Sequence, residues 1–390
     1  MKASKTVKKI NKINYTQLVA VIFIAFMFFF SLIAFVSEDK KFSTEENRVL
    51  QQRPYFSISS YMEGVFEKQS ENHISDQFPF RRQFIRIKSA IDITGGKLES
   101  NGVYRCRDNY LMEDIKSPDP KKSRQMFAAL SEFNKKYKST AKMYFLLAPN
   151  PANIMRENLP LTVRVKDQNN IIDKFYKTIS SLNYKPIDVR NTFEKSKGKI
   201  QLYYRTDHHW TTDGAYIAYK DICAAMKLKV NTEYKPYVVK NDFRGSLSSK
   251  SGFINGKNDA IKIYLPKNKN QHVDSVIYYS DTKEKTTRFY KLDNLDKKDA
   301  YTVFGGNNHP FYTVSSPVRG KNLLLFKDSY ANSIIPFIAQ HYRKIVVVDP
   351  RYFYDDIDNV MKSHNINEVL FLYSANNFFS DESLETLIRG

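Results

Sequence analysis

An uninterrupted apolar segment lies near the start of the chain. Residues 18–36 carry no charged side chain, and Ser31 is the one polar residue among them. As an α-helix rising about 1.5 Å per residue, this segment would span roughly 28 Å, which is about the thickness of the hydrocarbon core of a bilayer. The pattern predicts a membrane-spanning helix over residues 18–37. The alternative is a cleaved signal peptide, but its apolar region is usually shorter, and residues 34–37 make a poor cleavage site.

Beyond residue 75 the apolar positions alternate between helical and strand patterns. Met126, Leu130, Phe133 and Tyr137 recur at helical spacing, and similar patterns predict helices near residues 76–93, 168–182 and 215–226. Continuous apolar runs predict buried strands at residues 143–148, 323–326, 345–348 and 369–373. Buried strands separated by helices indicate an α/β fold whose strands form a parallel sheet.

Two segments depart from this alternation. Residues 38–75 are polar and predict a tether that leads into a domain of residues 76–390. Residues 230–318 are rich in Tyr, Thr, Lys and Gly and predict a strand-rich insertion or lid. Residues 103–112 predict a short hairpin.

Charge indicates on which side of the membrane the domain lies. The first 17 residues contain five lysines and no acid, so residues 1–17 are expected to form a cytoplasmic tail and the domain to lie outside the cell. The formal net charge is +20, of which about +15 follows the apolar segment. Such a charge suits an anionic surface, either phospholipid headgroups or acidic wall polymers, although many lysines simply solvate a fold. Nucleic acid is a poor partner for an exported domain.

The chain contains two cysteines, Cys106 and Cys223, without the spacing of a metal motif. In an oxidising compartment they could pair, or both could remain free thiols, and the sequence leaves both possibilities open.

Two distant stretches carry the chemistry of an acyl-transfer site. Asp207 and His209 lie in Thr-Asp-His-His-Trp-Thr at residues 206–211, and Ser329 lies in Lys-Asp-Ser-Tyr at residues 327–330. A carboxylate, an imidazole and a hydroxyl can form a Ser-His-Asp triad in any chain order. Ser329 follows a predicted parallel strand, at the sheet edge where ligands collect.

Each stretch also has a simpler interpretation. Residues 328–329 could merely cap a helix. Asp207, His208 and His209 could ligate zinc or manganese, although adjacent residues rarely converge on one ion. Trp210, the only tryptophan, could simply pack in the core.

Taken together, the two stretches and the earlier Phe-Pro-Phe-Arg run at residues 78–81 resemble the DHHW family. That family is SGNH-hydrolase-like and is similar to the exported alginate O-acetyltransferases. The resemblance covers most of residues 40–390. It implies that Asp207 and His209 supply the acid and the base, that Ser329 is the nucleophile, and that His208 occupies a variable position. The chain departs from the superfamily's Gly-Asp-Ser, because Lys327 stands in place of the glycine.

The resemblance also implies an oxyanion-binding group. The backbone N–H of Ser329 is one candidate donor. Asn376 and Asn377, beyond the strand at 369–373, and Asn308, in the run at 304–310, are the others. No metal and no dissociable cofactor is required. A multi-spanning membrane O-acyltransferase is implied as the acyl donor.

The function predicted from these observations is an O-acetyltransferase or acetylesterase of SGNH type, acting on a cell-surface or secreted polysaccharide. A second possibility is acyl transfer to an anionic wall polymer, such as alanylation of teichoic acid. A third is a polysaccharide-binding or assembly protein that keeps the fold without catalysis.

Overall fold

A computed structural model describes residues 14–43, 48–253, 257–267 and 273–389. Most of the predicted cytoplasmic tail, part of the predicted tether (residues 44–47) and two pieces of the predicted insertion (residues 254–256 and 268–272) lie outside the described residues. The chain divides into two compact units, Met1–Ile87 and Lys88–Gly390.

The first unit contains the apolar helix and a set of short elements. In chain order they are α1 Tyr15–Val36, β1 Phe42–Ser43, β2 Arg48–Val49, α2 Ile58–Met62, α3 Val65–Gln77 and the beginning of α4 Arg81–Thr94. Helix α1 is long and apolar enough to cross a membrane, and its position agrees with the predicted segment 18–37.

Within the segment predicted as a polar tether, the described residues 48–75 contain α2 and most of α3, which the sequence did not predict. The segment's polar composition concealed a helix, since Glu67, Lys68, Gln69 and Glu71 are strong helix formers even without an apolar stripe. The side chain of Ser57 caps α2 by accepting the backbone N–H of Ser60.

The second unit starts with a three-stranded antiparallel sheet of β3 Glu99–Ser100, β4 Val103–Arg105 and β5 Leu111–Glu113, which confirms the predicted hairpin. The remaining helices and strands, in chain order, are α5 Pro120–Tyr137, β6 Lys142–Ala148, α6 Pro151–Ile154, α7 Gln168–Ser181, β7 Lys185–Pro186, α8 Arg190–Ser196, α9 Thr212–Met226, β8 Tyr234–Phe243, α10 Ser246–Ser251, β9 Asp259–Pro266, β10 Val276–Tyr279, β11 Lys285–Thr286, β12 Phe311–Ser315, β13 Asn322–Lys327, α11 Ile335–Ile338, β14 Lys344–Val348, α12 Ile357–Ser363, β15 Glu368–Ser374, α13 Ala375–Phe378 and α14 Ser383–Arg389. Cys106 and Cys223 are both buried free thiols.

A central sheet of eight strands organises this unit, in the order β11-β10-β12-β14-β13-β15-β6-β7. The strands from β14 to β7 are parallel, as the apolar runs predicted. Strands β10, β11 and β12 join the sheet antiparallel. The strand-rich segment 230–318 therefore extends the sheet with these three strands, while β8 and β9 pair separately as a hairpin.

The core lies on both faces of this sheet. Strand β13 is buried along its whole length, and its side chains alternate between two hydrophobic clusters. Leu323 and Leu325 pack into the cluster that contains Trp210, whereas Leu324 and Phe326 pack into the cluster on the other face. Because β13 and β15 are parallel neighbours, Asp328 and Ser374 emerge at the same edge of the sheet.

Candidate active site

The structure brings together Ser329, His209 and Asp207, which lie 120 and two positions apart along the chain. Ser329 Oγ lies 2.7 Å from His209 Nε2. On the other side of the imidazole, His209 Nδ1 lies 2.6 Å from Asp207 Oδ1. His209 is fully buried, Asp207 is 2% exposed and Ser329 is 7% exposed. The three side chains therefore form one continuous hydrogen-bonded relay, sheltered from bulk solvent.

The carboxylate of Asp207 is held by several donors. Its Oδ2 accepts the backbone N–H and the hydroxyl of Ser246, at 2.8 and 2.9 Å, and its Oδ1 also accepts the backbone N–H of His209 at 3.0 Å. Burial by itself would raise the pKa of Asp207, but the charges of His208 and His209 and these hydrogen bonds hold that pKa well below its usual range. Asp207 is therefore ionised, and it orients the imidazole.

The imidazole of His209 is kept neutral by its surroundings. Burial and then the nearby charge of His208 lower the pKa of His209, which lies at about 4 despite the opposing effect of Asp207. Because Asp207 accepts a hydrogen bond from Nδ1, the hydrogen-bond network places the proton there and leaves Nε2 free to accept the Ser329 hydroxyl. The ring also stacks on Tyr301, with centroids 3.8 Å apart and planes inclined by 10°.

Ser329 begins a 3-10 helix, Ser329–Ser333, directly after β13. Asp328 fixes this turn: its Oδ1 accepts the backbone N–H of Tyr330 at 2.9 Å, and its Oδ2 accepts the backbone N–H of Ser374 at the end of β15, also at 2.9 Å. The helix-cap interpretation of residues 328–329 thus holds for Asp328, whose side chain does cap the turn. The Ser329 hydroxyl, in contrast, is directed at His209.

The loop that carries Asp207 and His209 is pinned from two directions. Asp259 accepts hydrogen bonds from the backbone N–H groups of Arg205 and Thr206 and from the Thr206 hydroxyl, at 2.7–2.9 Å. Trp210 is fully buried, as the core-packing interpretation requires, and its indole N–H donates to the carbonyl oxygen of Tyr330 at 3.0 Å. That bond ties the loop to the turn of Ser329.

Lys327, which replaces the glycine of Gly-Asp-Ser, is buried behind the turn. Its Nζ lies 3.4 Å from Asp349 Oδ2, and Arg351 binds both oxygens of the same carboxylate at 2.7 and 2.8 Å. Burial lowers the pKa of Lys327, and the charge of Asp349 opposes this effect. The lysine thus belongs to a buried charge cluster that joins the ends of β13 and β14.

Two of the candidate oxyanion donors, Asn376 and Asn377, lie at the same sheet edge as Ser329. Asn377 Nδ2 donates to Asp328 Oδ2 at 2.8 Å, and Asn376 Nδ2 donates to the carbonyl oxygen of Asp114 at 2.9 Å. Asn308 is half-buried ahead of β12, and in the described part of the chain no hydrogen bond joins it to the relay. The backbone N–H of Ser329 is placed by the turn itself. These oxyanion roles remain predictions.

Several residues that shape the site were missed by sequence reasoning. Gly245 lies against Asp207, Ser246 donates to its carboxylate, and Tyr301 stacks on His209. All three come from the segment 230–318, which therefore forms one wall of the site. In the sequence, the signal for Gly245 and Ser246 was their position between strand β8 and helix α10. This signal is weak, since many loops contain a glycine and a serine at such a position.

Asp207, His208 and His209 also form a group that could hold a metal ion, with ligand atoms within 4.8 Å of one another. However, both ring nitrogens of His209 are hydrogen-bonded within the relay, and His208 Nδ1 lies 2.7 Å from Ser246 Oγ. These atoms fit a proton relay better than the ligand shell of an ion.

A parallel sheet that presents this relay at the carboxyl ends of its strands is the architecture of an SGNH-hydrolase-like domain. Residues 110–260 match the family model described as SGNH hydrolase-like domain, acetyltransferase AlgX. The chain is 24% identical over 199 residues to the probable alginate O-acetylase AlgJ of Pseudomonas fluorescens, covering 48% of this chain and 50% of the relative. The chain spans about half the length of the curated relatives it matches.

Two solved structures share the fold. A DHHW family protein from Eubacterium siraeum superposes with a TM-score of 0.60 at 21% identity, covering 74% of this chain and 95% of that one. Bacillus cereus PatB1, solved with a sulfonyl adduct, has a TM-score of 0.60 at 22% identity, covering 72% and 97%. The predicted resemblance to DHHW and alginate O-acetyltransferase proteins and the predicted SGNH-like fold are thereby confirmed, and the relatives support the predicted class of enzyme, an acetyltransferase or esterase.

Proposed function

We propose that this protein is a membrane-anchored O-acetyltransferase, or acetylesterase, whose exported domain acts on a cell-surface or secreted polysaccharide through an acyl-serine on Ser329. The observation that carries the proposal is the relay itself: two hydrogen bonds of 2.6 and 2.7 Å that join Asp207, His209 and Ser329 in series. The likeness to relatives named O-acetylases supports acyl transfer as the chemistry.

The first half of the reaction loads Ser329. As Ser329 Oγ attacks the acyl carbonyl carbon, His209 Nε2 takes the hydroxyl proton, and Asp207 stabilises the imidazolium that forms. The carbonyl oxygen becomes an oxyanion, which the backbone N–H of Ser329 is placed to bind; one such donor is typically worth about 3 kcal/mol. The tetrahedral intermediate then collapses, the bond to the donor breaks, and the leaving group takes the proton from His209.

The second half of the reaction unloads the serine. A sugar hydroxyl, or water in an esterase, gives its proton to His209 Nε2 and attacks the acyl-serine carbonyl. Collapse of this intermediate breaks the Ser329 ester bond and returns the proton to Oγ. The products are an acylated sugar, or the free acid, and an unchanged enzyme.

The setting of the domain is part of the proposal. Helix α1 would hold the exported domain at the membrane, beside a multi-spanning membrane O-acyltransferase that supplies the acyl group. Of the net charge of +20, about +15 follows the apolar segment and favours an anionic acceptor, which also keeps an anionic wall polymer, such as teichoic acid, open as the second candidate acceptor.

The test is covalent trapping in the full chain, purified in detergent. With 4-nitrophenyl acetate or a sulfonyl fluoride as the probe, mass spectrometry should find the adduct on the peptide that contains Ser329. Ser329→Ala should abolish the adduct and His209→Ala should slow its formation, whereas Ser249→Ala, a half-buried serine outside the relay, should leave it unchanged.

An adduct on another residue, or none in a chain that retains its circular dichroism spectrum, would refute the acyl-serine. If Ser329→Ala also left polysaccharide acylation in cells unchanged, the non-catalytic binding role would take its place.

A further inference from the structure

The beginning of α4 carries an apolar stripe whose side chains are partly exposed. Phe84 is 37% exposed and Ile87 is 57% exposed, and Phe80, directly before the helix, is 53% exposed. These positions recur every three or four residues, so they lie on one side of the helix. Phe78 and Ile74, on the preceding segment, are 37% and 65% exposed. A soluble protein rarely exposes so many contiguous large apolar side chains without a partner.

This stripe is continuous with the surface of α1. Phe30 of α1 stacks on Phe78 with centroids 5.6 Å apart, and it makes edge contacts with Phe84 at 5.5 Å and Phe80 at 6.3 Å. We call these four residues the aromatic cluster. Two segments that are distant in sequence, α1 and residues 78–84, therefore meet on one side of α1, within the first unit of the chain.

The position of Phe30 along α1 sets the depth of the cluster. Phe30 lies six residues before the end of the helix at Val36, which corresponds to about 9 Å along the helix axis. If α1 spans a bilayer with Val36 near the outer boundary, the rings of Phe78, Phe80 and Phe84 lie at the depth of Phe30. That depth is hydrocarbon, so the partner that these rings fit is the lipid acyl chain.

The backbone at Phe80, one of the residues of the aromatic cluster, is strained. Phe80 has a φ of 58°, in the left-handed region, which a bulky residue rarely adopts. Pro79 precedes it, and α4 begins directly after it. Phe78 and Phe80, on either side of Pro79 in the sequence, both contact Phe30.

The residues beside the stripe are basic. Arg81 lies about 60° of helical rotation from Phe84 and Arg86 about 100° from Ile87, whereas Arg82 lies on the far side of the helix, about 140° from Ile87. Long basic side chains at such positions can keep their charge among headgroups while their aliphatic stems cover apolar surface. An apolar face with arginines beside it is the pattern of a helix that lies on an anionic membrane surface.

We propose that the aromatic cluster and Ile87 insert into the outer leaflet, and that the first two turns of α4 lie along the membrane surface with Arg81 and Arg86 among anionic headgroups. The proposal rests on the anchored topology proposed above and goes beyond it: the domain would hold the membrane by a second, interfacial contact. A second copy of this chain is the alternative occupant of the stripe, and the test separates it from lipid.

The experiment uses the full chain in vesicles of phosphatidylcholine and phosphatidylglycerol, with a fluorophore on one introduced cysteine. The native thiols should not compete, because burial raises the pKa of Cys106 to about 12 and that of Cys223 to about 11. The reporting position is Ile87→Cys. Arg82→Cys, about 140° away on the far side of the same helix, is the matched control, and Val21→Cys in α1 reports the anchor.

Lipids brominated along their acyl chains should quench the probe at position 87 at least about twofold more than the probe at position 82. Quenching at position 21 without quenching at position 87 would overturn the interfacial contact and leave the anchor standing. Absence of quenching at both positions would overturn both. A probe at position 87 that is shielded only when protein density in the vesicles rises would overturn lipid as the partner in favour of a second copy.

Discussion

Gly245 lies so close to Asp207 that a side chain at position 245 would occupy the space of the carboxylate. A Cβ built on Gly245 would lie 2.2 Å from Asp207 Cβ and 2.3 Å from Asp207 Oδ2. The backbone of Gly245 is in turn held by a hydrogen bond of 3.0 Å from its N–H to Thr206 Oγ1. The absence of a side chain at this position is therefore what allows Ser246 to donate to the carboxylate.

Gly245→Ala should displace Asp207 and lower the rate of Ser329 acylation by about 100-fold, since a misplacement of about 1 Å can cost that much. The measurement is the rate of acyl-adduct formation with 4-nitrophenyl acetate. Gly95→Ala is the matched control, because a Cβ there meets nothing nearer than 3.4 Å. Equal rates for both variants would contradict the proposed dependence on the Asp207 position.

The acid limit of acylation, meaning the pH below which the rate falls, should lie well below the pKa of an ordinary histidine. Because the pKa of His209 is lowered to about 4 from 6.5, the neutral form that accepts the Ser329 proton persists as pH falls from 8 to 5. The acylation rate should therefore stay nearly constant across that range and fall near pH 4. A fall centred near pH 6.5 would contradict the effect of burial on this imidazole.

His208 should modulate that limit without taking part in the relay. The charge that His208 carries when protonated disfavours a second charge on His209, and the two ring centroids are 3.9 Å apart. In His208→Gln that repulsion is removed, so the pKa of His209 rises and the acid limit of acylation moves to higher pH. The acylation rate of this variant at pH 8 should change little, and an unmoved acid limit would show that the two rings are not coupled.

The aromatic face of Tyr301 should matter more than its hydroxyl. Tyr301→Leu removes the surface on which His209 stacks, and acylation should slow by roughly tenfold because the imidazole can tilt away from Ser329. Tyr301→Phe keeps the ring and loses hydrogen bonds of 3.3 Å to the carbonyl oxygen of Ser329 and 3.4 Å to Ser333 Oγ, so it should stay within about threefold of the wild type. Circular dichroism checks that both variants fold. A Phe variant slower than the Leu variant would reverse this assignment.

Chelation should leave acylation unchanged. The nitrogens of His209 are committed to Asp207 and Ser329, so the relay requires no ion. The rate of adduct formation is measured before and after dialysis against a strong chelator. Loss of activity that zinc restores would instead favour the metal interpretation of Asp207, His208 and His209.

Most helices and strands and the three residue types of the relay could be predicted from the sequence, because each is indicated by a short stretch of residues. Continuous apolar runs gave the parallel strands, as in β13, and helical spacing gave α5. Asp207 and His209 are close in sequence and Ser329 follows a strand, but the pairing of the two stretches was predicted from the resemblance to the DHHW family, because residues 206–211 follow no strand of the central sheet. The helix α3 within a polar segment escaped this reasoning, because its residues favour a helix without marking a face.

The sequence alone thus determined the apolar helix, the α/β sheet and the three residues that could form the relay, because hydrophobic periodicity and strand ends are properties of short segments. Only the tertiary structure decided that β10, β11 and β12 extend the sheet, and that Gly245, Ser246 and Tyr301 complete the site. The backbone that hydrogen-bonds Asp207 belongs to a segment that lies 38 or more positions away and folds back onto it. A hydrogen bond over such a separation produces no periodic pattern in the sequence, so it could not be predicted.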